Sequence, residues 1–202
     1  MSSKIISHIS IIMDGNGRWA NQRNMPRAYG HKEGVSAINK IVSACLVRQI
    51  SELSLFAFSS ENWNRPDYEV QFLLKLFEDS INKYVDDLHS NNVRIEFIGN
   101  LESFSPKLLK NISQAENMTR DNTGLKLNFA INYGGQWDIV NAVNNMLDDI
   151  DFSLQTKKIS AADFKKYLSL QGNSPDLLIR TAGEQRLSNF MLWQHAYTEL
   201  YF

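Results

Sequence analysis

The sequence predicts an α/β fold, in which a mostly parallel central β-sheet is flanked by helices. Short β-rich runs alternate with longer amphipathic segments along the chain, the pattern of strands joined by crossover helices. Hydrophobic residues make up 43% of the 202 residues, which is enough for one packed core. No linker, internal repeat or low-complexity segment interrupts the alternation. We therefore expect residues 1–202 to form a single domain.

The amino-terminal half supplies strands and helices in turn. His8–Met13 is a short β-rich run that stops at a Gly-rich turn, and Lys32–Gln49 keeps its apolar residues on one helical stripe. Leu53–Phe58 has the apolar character of a buried strand, and the polar loop Ser59–Pro66 ends it. Asp67–His89 is a long amphipathic helix. Its apolar stripe consists of Val70, Leu73, Leu74, Phe77, Ile81, Tyr84 and Leu88.

The carboxyl-terminal half continues the alternation. Val93–Ile98 and Leu125–Ile131 are predicted strands. Ser105–Arg120 is a helix between them, because it begins with Ser-Pro, which is typical of an N-cap and a first helical turn. The remaining predicted elements are the helices Gln136–Leu147 and Ala161–Leu168 and the strand Asp176–Thr181.

Charge and composition limit the possible partners. Lys and Arg number 21 and Asp and Glu 22, a net charge of −1, so we expect no nucleic-acid partner and only local anion sites. The single cysteine, Cys45, excludes an internal disulfide and falls on the apolar side of a helix, where core packing is expected. No apolar run approaches the ~20 residues of a membrane span. The start of the chain lacks a signal-peptide pattern, so a cytoplasmic protein is expected.

Four polar clusters lie at the predicted carboxyl ends of strands. They are Asp14–Trp19, Ser59–Arg65, Asn132–Asp138 and Arg180–Ser188. In parallel α/β folds, ligands bind in the crevice outside these strand ends. Any one cluster alone is equally well explained as an ordinary capped turn. Because all four carry reactive side chains, their convergence predicts a ligand site.

The first cluster has the residues of a diphosphate site that includes a metal. Gly15 and Gly17 allow the backbone to approach an anion closely. Asp14 would repel a diphosphate unless a divalent cation joined them, and Mg²⁺ prefers one or two carboxylates together with phosphate oxygens. The Gly-Lys-Ser/Thr of a P-loop is absent from the sequence, which argues against a nucleotide triphosphatase. The basic run that follows consists of Arg18, Arg23, Arg27, His31 and Lys32.

The last cluster repeats this chemistry. Arg180 ends a strand, and Arg186 and Ser188 follow in a turn, so the three side chains could hold a second diphosphate. Alternatively, the two arginines form surface ion pairs with Glu184 and Glu199. Spacing alone does not decide between these interpretations. Two anion sites in one small domain would indicate transfer between two substrates.

Longer motifs carry a resemblance to a known family. They are His8–Ala20, Arg27–His31, Phe58–Pro66, Asn132–Asp138, Asp176–Thr181, Gly183–Asn189 and Tyr197–Phe202. In this order they extend over nearly the whole chain, and together they resemble the cis-prenyltransferase family, in particular its bacterial undecaprenyl diphosphate synthases. One departure is small: relatives usually have Gly or Ser before Gly183, where this chain has Ala182.

The resemblance implies a role for each matching residue. Asp14 looks like the family's essential aspartate, which handles Mg²⁺ and the diphosphates, and Glu199 looks like a second metal contact. The allylic diphosphate site would consist of Gly15, Asn16, Gly17, Arg18, Arg27 and His31, and Arg23 would lie nearby. Trp19 and Phe58 would lie beside the reacting ends of the substrates. The isopentenyl diphosphate site would consist of Arg180, Arg186 and Ser188. Asn62, Trp63 and Arg65 would lie in a loop that orders over the substrates, with Asn62 assisting proton removal. Ser59, Ser60 and Glu61 are also expected to bind substrate.

The resemblance also implies the reaction and its partners. Isopentenyl diphosphate would be joined to an allylic diphosphate, with farnesyl diphosphate as primer and undecaprenyl diphosphate, a cell-wall lipid carrier, as product. The product requires a hydrophobic tunnel, for which the helix from Val70 to Leu88 is the expected wall and Leu125, Phe129 and Ile131 the opposite one. Taken singly, each residue of that helical stripe is better explained as ordinary core. A homodimer is expected, with membrane contact through the lipid product. Relatives continue past the position of Phe202 into a basic tail that completes the partner's site, and we expect that tail to be missing here.

Two alternatives remain beside this interpretation. A trans-prenyltransferase would be all-helical and carry paired Asp-Asp-x-x-Asp motifs. Asp148–Asp151 is only superficially similar and is interpreted as a solvated helix end. A noncatalytic isoprenoid-binding subunit of a heteromeric prenyltransferase would lack the loop aspartate, whereas Asp14 is present. The sequence therefore favours an active enzyme.

Overall fold

A single parallel sheet forms the centre of the protein. The computed structural model describes residues 6–149 and 158–202. In them six strands occur: β1 (His8–Ile12), β2 (Glu52–Ser59), β3 (Arg94–Ile98), β4 (Lys126–Tyr133), β5 (Leu177–Arg180) and β6 (Glu199–Tyr201). Their order is β3-β4-β2-β1-β5-β6, and every neighbouring pair is parallel. The predicted α/β fold is confirmed, and the short edge strand β6 is an addition to it.

Helices connect the strands and cover both faces of the sheet. They are α1 (Asn16–Asn21), α2 (Arg27–Val47), α3 (Asp67–Ser90), α4 (Pro106–Thr119), α5 (Gly135–Asp148) and α6 (Ala161–Lys165). The predictions for α3, α4 and α5 agree to within one residue at each end. Helix α2 begins at Arg27 rather than at Lys32, directly after Pro26, whose φ of −58° and ψ of 145° lie outside helical geometry. Ser60–Asn64, within the predicted loop, forms a 3₁₀ turn.

Two layers of apolar side chains hold the sheet between its helices. One layer, beneath α2, contains Ile11, Leu53, Leu55 and Leu127 from the strands, all buried. Cys45 of α2 belongs to this core, as predicted, and burial raises the pKa of its thiol. The opposite layer is formed by Ile12, Phe56, Ala130, Tyr133, Leu170, Leu178, Phe190 and Met191.

Buried polar side chains tie the carboxyl-terminal segment to the sheet. The two ring nitrogens of His8 contact the Asn173 carbonyl at 2.6 Å and the Ser54 hydroxyl at 2.8 Å. Ser10, two residues along β1, contacts His195 Nε2 at 2.9 Å. Because buried polar groups are costly without partners, these bonds fix the segment that follows β5.

The strand order creates a crevice at the centre of the sheet. The chain leaves β1 toward β2 on one side, whereas β5 pairs with β1 on the other. Loops that follow β1, β2 and β5 therefore meet at one edge. The predicted acidic run Asp148–Asp151 begins at the end of α5, and residues 150–157 lie outside the described residues. None of the described helices is both long and apolar enough to cross a membrane.

Candidate active site

A polar cleft lies beyond the carboxyl ends of β1, β2 and β5. It has a volume of about 1690 Å³, including its open mouth. Three of the four predicted clusters line it, and the side chains or backbone that do so are Asp14, Gly15, Asn16, Gly17, Arg18, Arg27, His31, Ser59, Glu61, Asn62, Arg65, Arg180, Arg186, Ser188 and Asn189. The topology thus brings together residues that are far apart in the chain.

The third predicted cluster does not line the cleft, so that prediction was wrong. Asn132 accepts a hydrogen bond from the Trp63 indole at 2.8 Å and donates to the Asn100 carbonyl at 2.7 Å. Asp138 is buried and accepts hydrogen bonds from the Tyr133 hydroxyl and the Ser169 amide, both at 2.8 Å. The reason is the strand order, since β4 is separated from β1 by β2. These residues support the cleft from behind.

Asp14 occupies the base of the cleft, where it pairs with Arg180. Its Oδ2 accepts a hydrogen bond from Arg180 Nη2 at 3.0 Å, and its Oδ1 accepts one from the Gly15 amide at 2.6 Å. Burial by itself raises the pKa of Asp14, but the hydrogen bonds from Arg180 and Gly15 outweigh it, and the pKa is lowered below its ordinary value. Asp14 is therefore an ionised carboxylate at neutral pH.

Arg180 is held by the turn that follows β5. Its Nη1 donates to the Ser188 hydroxyl at 2.7 Å and to the Arg186 carbonyl. Ser188 and the next residue, Asn189, have φ angles of 46° and 62°, a left-handed conformation that costs energy outside glycine and is common at functional turns. Of the two ion pairs that were the alternative, Arg186 does pair with Glu184 at 2.6 Å, whereas Arg180 pairs with Asp14.

The start of α1 brings backbone and two arginines together. Gly15 has a φ of 89°, and a Cβ there would lie 2.4 Å from the Cβ of Ala182, so no other residue fits. A Cβ on Gly17 would lie 2.9 Å from Arg27 Cζ, because the guanidinium approaches this backbone closely. Arg18 reaches Glu184 at 3.3 Å. Glu184 therefore joins Arg18 to Arg186 across the cleft.

Glu69 is a charged residue of the site that sequence reasoning missed. Its Oε1 lies 2.8 Å from Arg65 Nη1, 3.2 Å from Arg27 Nη2 and 3.8 Å from His31 Nε2. Burial raises the pKa of this carboxyl, but the two arginines outweigh it and lower the pKa. Burial also lowers the pKa of His31, as do both arginines, so the imidazole is neutral. The available signal was the spacing of four residues from Arg65 to Glu69 at the start of α3.

The loop after β2 closes one side of the cleft. Asn62 Oδ1 accepts a hydrogen bond from the Ser59 amide at 3.2 Å, which caps the 3₁₀ turn. Glu61 accepts a hydrogen bond from the Asn189 side chain at 2.9 Å, so this loop is tied to the turn after β5. Asn189 was not predicted as a site residue, although it ends one of the longer motifs.

Several predicted site residues lie outside the cleft. Trp63 packs against Phe58 and Phe104 with its indole turned toward β4. Neither Trp19 nor Arg23 is among the described residues that line the cleft, and Ser60 lies next to Gly134 instead. Phe58 lines an adjoining apolar cavity.

Glu199 lies away from Asp14 within the chain. It pairs in register with Leu177 at the beginning of β5, whereas Arg180 and Asp14 lie at the carboxyl ends of the strands. Three residues of strand amount to ~10 Å. A metal contact from Glu199 to Asp14 of the same chain is therefore not formed, because the strand register separates them.

The cleft suits Mg²⁺ that is bound together with a diphosphate. The described residues contain no group of three or more His, Cys, Asp or Glu side chains placed to hold a metal alone. They do offer the ionised Asp14, 33% exposed to the cleft, with arginines around it. Mg²⁺ typically takes one or two protein carboxylates and fills its remaining positions with water and phosphate oxygens, so the residues fit this ion.

An apolar cavity continues from the cleft into the protein. It has a volume of about 1070 Å³, including its open mouth, and it shares Met13, Asn16, His31, Ala57 and Leu73 with the cleft. Its wall on α3 consists of Leu73, Leu74, Leu76, Phe77, Ser80, Ile81, Tyr84 and Leu88. On the sheet side, Phe129 and Ile131 line it as expected, but Leu125 belongs to the solid core and Leu127 lines the cavity instead.

The fold and the site define the class of protein. Arginines surround one ionised carboxylate at the crevice of a parallel α/β sheet, and an apolar cavity lies directly behind them. Cations select phosphate groups, and an apolar cavity selects hydrocarbon. This is an α/β protein with a site for amphiphilic diphosphates.

Comparisons with known proteins identify the family. A family model described as "Putative undecaprenyl diphosphate synthase" matches residues 12–202. A ditrans,polycis-undecaprenyl-diphosphate synthase of Legionella pneumophila (strain Paris), named as specific for (2E,6E)-farnesyl diphosphate, is 50% identical over 204 residues, covering 100% of this chain and 86% of that protein. The chain belongs to the undecaprenyl diphosphate synthase family of cis-prenyltransferases.

Solved structures agree with this assignment. The crystal structure of lavandulyl diphosphate synthase from Lavandula x intermedia, in complex with dimethylallyl diphosphate, matches with a TM-score of 0.93 and 36% identity over 98% of this chain and 86% of that one. A probable undecaprenyl diphosphate synthase from Campylobacter jejuni matches with a TM-score of 0.81 and 31% identity, over 98% of this chain and 85% of that one. The fold is therefore that of the cis-prenyltransferases.

Proposed function

We propose that this enzyme adds isopentenyl diphosphate units to farnesyl diphosphate and makes undecaprenyl diphosphate. The observation that carries the proposal is the continuity of the arginine-lined cleft with the apolar cavity, because a polyprenyl diphosphate needs both environments at once. The names of the relatives, several of which specify farnesyl diphosphate and the undecaprenyl product, support the choice of substrates.

The allylic diphosphate binds where α1 begins. Its phosphates lie between the Gly15–Arg18 backbone and the guanidiniums of Arg18 and Arg27, and its hydrocarbon chain enters the cavity past Met13 and Leu73. When the bond between allylic C1 and oxygen breaks, negative charge grows on the leaving diphosphate. Guanidiniums that are already in position stabilise that charge without reorganisation.

Isopentenyl diphosphate binds to Arg180, Arg186 and Ser188. Both arginines already point at acceptors, since Arg180 is bonded to Asp14 and Ser188 and Arg186 is bonded to Glu184. Phosphate oxygens replace some of these contacts. The two substrates then lie side by side, so that C4 of isopentenyl diphosphate faces allylic C1. Because binding has already removed the translational freedom of both substrates, the reaction step does not have to.

The bond formation must end with loss of a proton. The new carbon–carbon bond joins allylic C1 to C4, diphosphate leaves with the electron pair of the broken C–O bond, and a proton departs from C2 of the former isopentenyl unit. A diphosphate oxygen accepts it, with the amide of Asn62 orienting the group. Asn62 lines the cleft and is fixed by its bond to the Ser59 amide, which supports this role.

Magnesium completes the proposed site. Asp14 is the carboxylate that would hold the ion, together with phosphate oxygens of the substrates. When bound, Mg²⁺ supplies positive charge that offsets the charges of the diphosphates. Asp14 is also the residue whose presence argues against a noncatalytic partner subunit.

A homodimer is part of the proposal. The outward face of α5 carries Val140, Val143 and Leu147, which are 59%, 43% and 69% exposed and recur at helical spacing. An apolar stripe of this kind on a surface helix supports a self-complementary contact between two copies. Membrane contact through the lipid product, and a cytoplasmic location, stay predictions.

Chain elongation tests the proposed function directly. The enzyme is incubated with farnesyl diphosphate, radiolabelled isopentenyl diphosphate and Mg²⁺, and the extracted lipid is sized by reversed-phase chromatography. We expect undecaprenyl diphosphate as the main product and no elongation after chelation of the metal. Failure to extend farnesyl diphosphate under any of these conditions would refute the proposal.

A further inference from the structure

Asn189, in the turn after β5, bonds two other parts of the protein that are distant in the sequence. Its backbone carbonyl accepts a hydrogen bond from the Gly135 amide at 2.6 Å, and its side-chain Oδ1 accepts one from the Gln136 amide at 2.9 Å. Its Nδ2 donates to Glu61 Oε1 at 2.9 Å. Backbone amides only donate and an ionised carboxylate only accepts, so these partners fix the orientation of the Asn189 side chain. Asn189 therefore holds the start of α5 and the loop after β2 at the same time.

The start of α5 is shaped to receive this side chain. The first amides of a helix have no partner within it, and Gly134 at the N-cap has no side chain to offer them. A Cβ on Gly134 would lie 2.8 Å from both Asn189 Nδ2 and Ser60 Oγ. Glycine at this position therefore lets the turn after β5 and the loop after β2 approach each other. This explains part of the motif Asn132–Asp138, which does not line the cleft.

The turn that carries Asn189 belongs to the proposed isopentenyl diphosphate site. The preceding residue, Ser188, accepts a hydrogen bond from Arg180 at 2.7 Å, and both Ser188 and Asn189 line the cleft. Asn189 has a φ of 62°, a conformation that asparagine and aspartate tolerate better than most other residues with a side chain. The bonds of Asn189 therefore fix the backbone that presents the Ser188 hydroxyl.

Glu61 is a charged group whose place in the cleft needs an explanation. Partial burial raises the pKa of Glu61, but the hydrogen bond from Asn189 and those within the loop outweigh it and lower the pKa. Glu61 is therefore ionised at neutral pH, and a carboxylate repels a diphosphate unless a cation lies between them. Its bond to Asn189 gives this carboxylate a task other than contact with substrate.

The loop of Glu61 also carries Asn62, the residue proposed to assist proton removal. Asn62 is the next residue in the chain and lines the cleft. On the allylic side the loop is held by Arg65, whose guanidinium lies 2.8 Å from Glu69. On the isopentenyl side it is held by the bond between Glu61 and Asn189. The loop is thus attached to both proposed substrate sites.

We propose that Asn189 is a positioning residue, which couples the isopentenyl diphosphate site to the placement of Asn62 through its bond to Glu61. Diphosphate bound at Ser188 holds the turn, Asn189 holds Glu61, and Glu61 holds the loop in which Asn62 orients the proton acceptor. The inference rests on the proposed function, because it concerns the same two substrate sites. Asn189 itself acts at a distance from the reacting atoms.

Exchanging the donor and the acceptor of this bond tests the coupling. Asn189→Asp keeps an oxygen for the Gln136 amide and suits the same backbone conformation, but it places a second carboxylate against Glu61. Adding Glu61→Gln restores a donor, so the double variant has the wild-type net charge and a hydrogen bond of reversed direction. Glu61→Gln alone keeps an oxygen that accepts the bond from Asn189. Asn117→Asp, at an exposed position of α4, is the control for the change in charge.

We expect Asn189→Asp to raise the KM for isopentenyl diphosphate about tenfold and to lower kcat about tenfold, because the two carboxylates push the turn and the loop apart. The Kd for farnesyl thiolodiphosphate, an unreactive analogue, should stay within about threefold of wild type, since the allylic side of the loop has its own ion pair. The double variant should recover both kinetic constants to within about threefold, and Glu61→Gln and Asn117→Asp should stay within the same range.

Two outcomes would overturn the coupling. One is wild-type kinetic constants in Asn189→Asp, which would leave Asn189 as a cap of α5 alone. The other is a double variant that recovers nothing although circular dichroism shows it to be folded. Should Asn189→Asp fail to fold, Glu61→Ala replaces it, because it removes the acceptor from an exposed loop position. An unchanged KM for isopentenyl diphosphate in Glu61→Ala would then overturn the coupling.

Calorimetry without turnover separates this inference from the proposed function. Isopentenyl diphosphate is titrated into each protein in the presence of farnesyl thiolodiphosphate and Mg²⁺. If wild-type enzyme binds both compounds but elongates nothing, the proposed function falls, and the Kd values of the same variants still decide the coupling. If wild-type enzyme elongates normally and the variants bind and react alike, the coupling falls alone. If wild-type enzyme binds neither compound, both fall.

Discussion

Arg180 donates a hydrogen bond to Asp14 across 3.0 Å, although the two residues are 166 positions apart in the chain. The parallel pairing of β1 with β5 makes this contact, since Ile12 and Arg180 are partners in register. The pair keeps both charges in place at the base of the cleft. Arg180 belongs to the proposed isopentenyl diphosphate site and Asp14 is the proposed metal ligand, so the ion pair links the two. The first prediction concerns this link.

Replacing Asp14 should stop catalysis without unfolding the protein. We expect both Asp14→Ala and Asp14→Asn to lower kcat for elongation by roughly 10²–10³-fold or more, because neither side chain carries the charge that holds a cation against diphosphate. The Asn variant retains an oxygen that can accept the bond from Arg180. The Ala variant does not, so its unfolding free energy should fall further than that of the Asn variant, by about 1–3 kcal/mol.

Urea denaturation and initial-rate kinetics measure these two effects separately. Asp79→Asn, an equal charge change on the exposed face of α3, serves as control and should retain wild-type turnover. Wild-type kcat in Asp14→Asn would show that the carboxylate charge has no part in the reaction.

Glu69 should act as a positioning residue for the allylic site. In Glu69→Gln the guanidiniums of Arg27 and Arg65 lose their shared counter-ion, so we expect the KM for farnesyl diphosphate to rise about tenfold with a smaller change in kcat. Glu78→Gln is the matched control, because Glu78 is an equally buried carboxylate of α3 that pairs with Lys75 and Lys107 away from the cleft. A lower KM in Glu69→Gln would mean that Glu69 competes with the substrate for the arginines instead of positioning them.

A bulky side chain in the apolar cavity should shorten the product. Ser80 lines the cavity two turns along α3 from Leu73, ~10 Å from the cleft. We expect Ser80→Phe to extend farnesyl diphosphate but to release shorter chains than wild type. The lipid products are compared by reversed-phase chromatography with those of Ser113→Phe, a control at an exposed position of α4. Products of wild-type length from Ser80→Phe would place the growing chain elsewhere.

Acid should destabilise the protein through His195. Burial lowers the pKa of His195 to about 4, with a partial opposing effect of the hydrogen bond to the Phe190 carbonyl. The unfolded chain takes up a proton near pH 6.5 and the folded chain only near pH 4, so stability is lost as the pH falls through this window. The loss from this residue reaches at most about 3 kcal/mol. Burial lowers the pKa of His8 as well, which acts in the same direction.

The slope of unfolding free energy against pH measures this effect. Between pH 6.5 and 4 we expect His195→Gln to have a shallower slope than wild type, whatever its absolute stability. His89→Gln, at an exposed position of α3, should keep the wild-type slope. Equal slopes in all three proteins would contradict a buried neutral His195.

The spacing of apolar residues predicted much of the fold, and the polar residues that follow predicted strands indicated part of the site. Helix α3 was predicted to within one residue because its apolar stripe is regular over its whole length. Asp14 and Arg180 were expected at one site because both follow parallel strands. The edge strand β6 was missed, since three exposed residues carry no alternation that marks a strand.

The errors have a common cause, which is that sequence does not give strand order or side-chain direction. Asn132–Asp138 was expected in the cleft, but β4 lies on the far side of β2. Trp19 was expected beside the reacting ends from the family resemblance, and it is not among the described residues that line the cleft. Glu69 was overlooked because an acidic residue in the first turn of a helix is explained by the helix dipole alone.

A crystal structure with both reactants tests the central claim most directly. The enzyme is crystallised with farnesyl thiolodiphosphate, an unreactive analogue, together with isopentenyl diphosphate and Mg²⁺. The account predicts one diphosphate on Arg18 and Arg27, a second on Arg180, Arg186 and Ser188, the metal on Asp14, and the farnesyl chain inside the cavity along α3. Electron density with an empty cleft, or with the farnesyl chain outside that cavity, would contradict it.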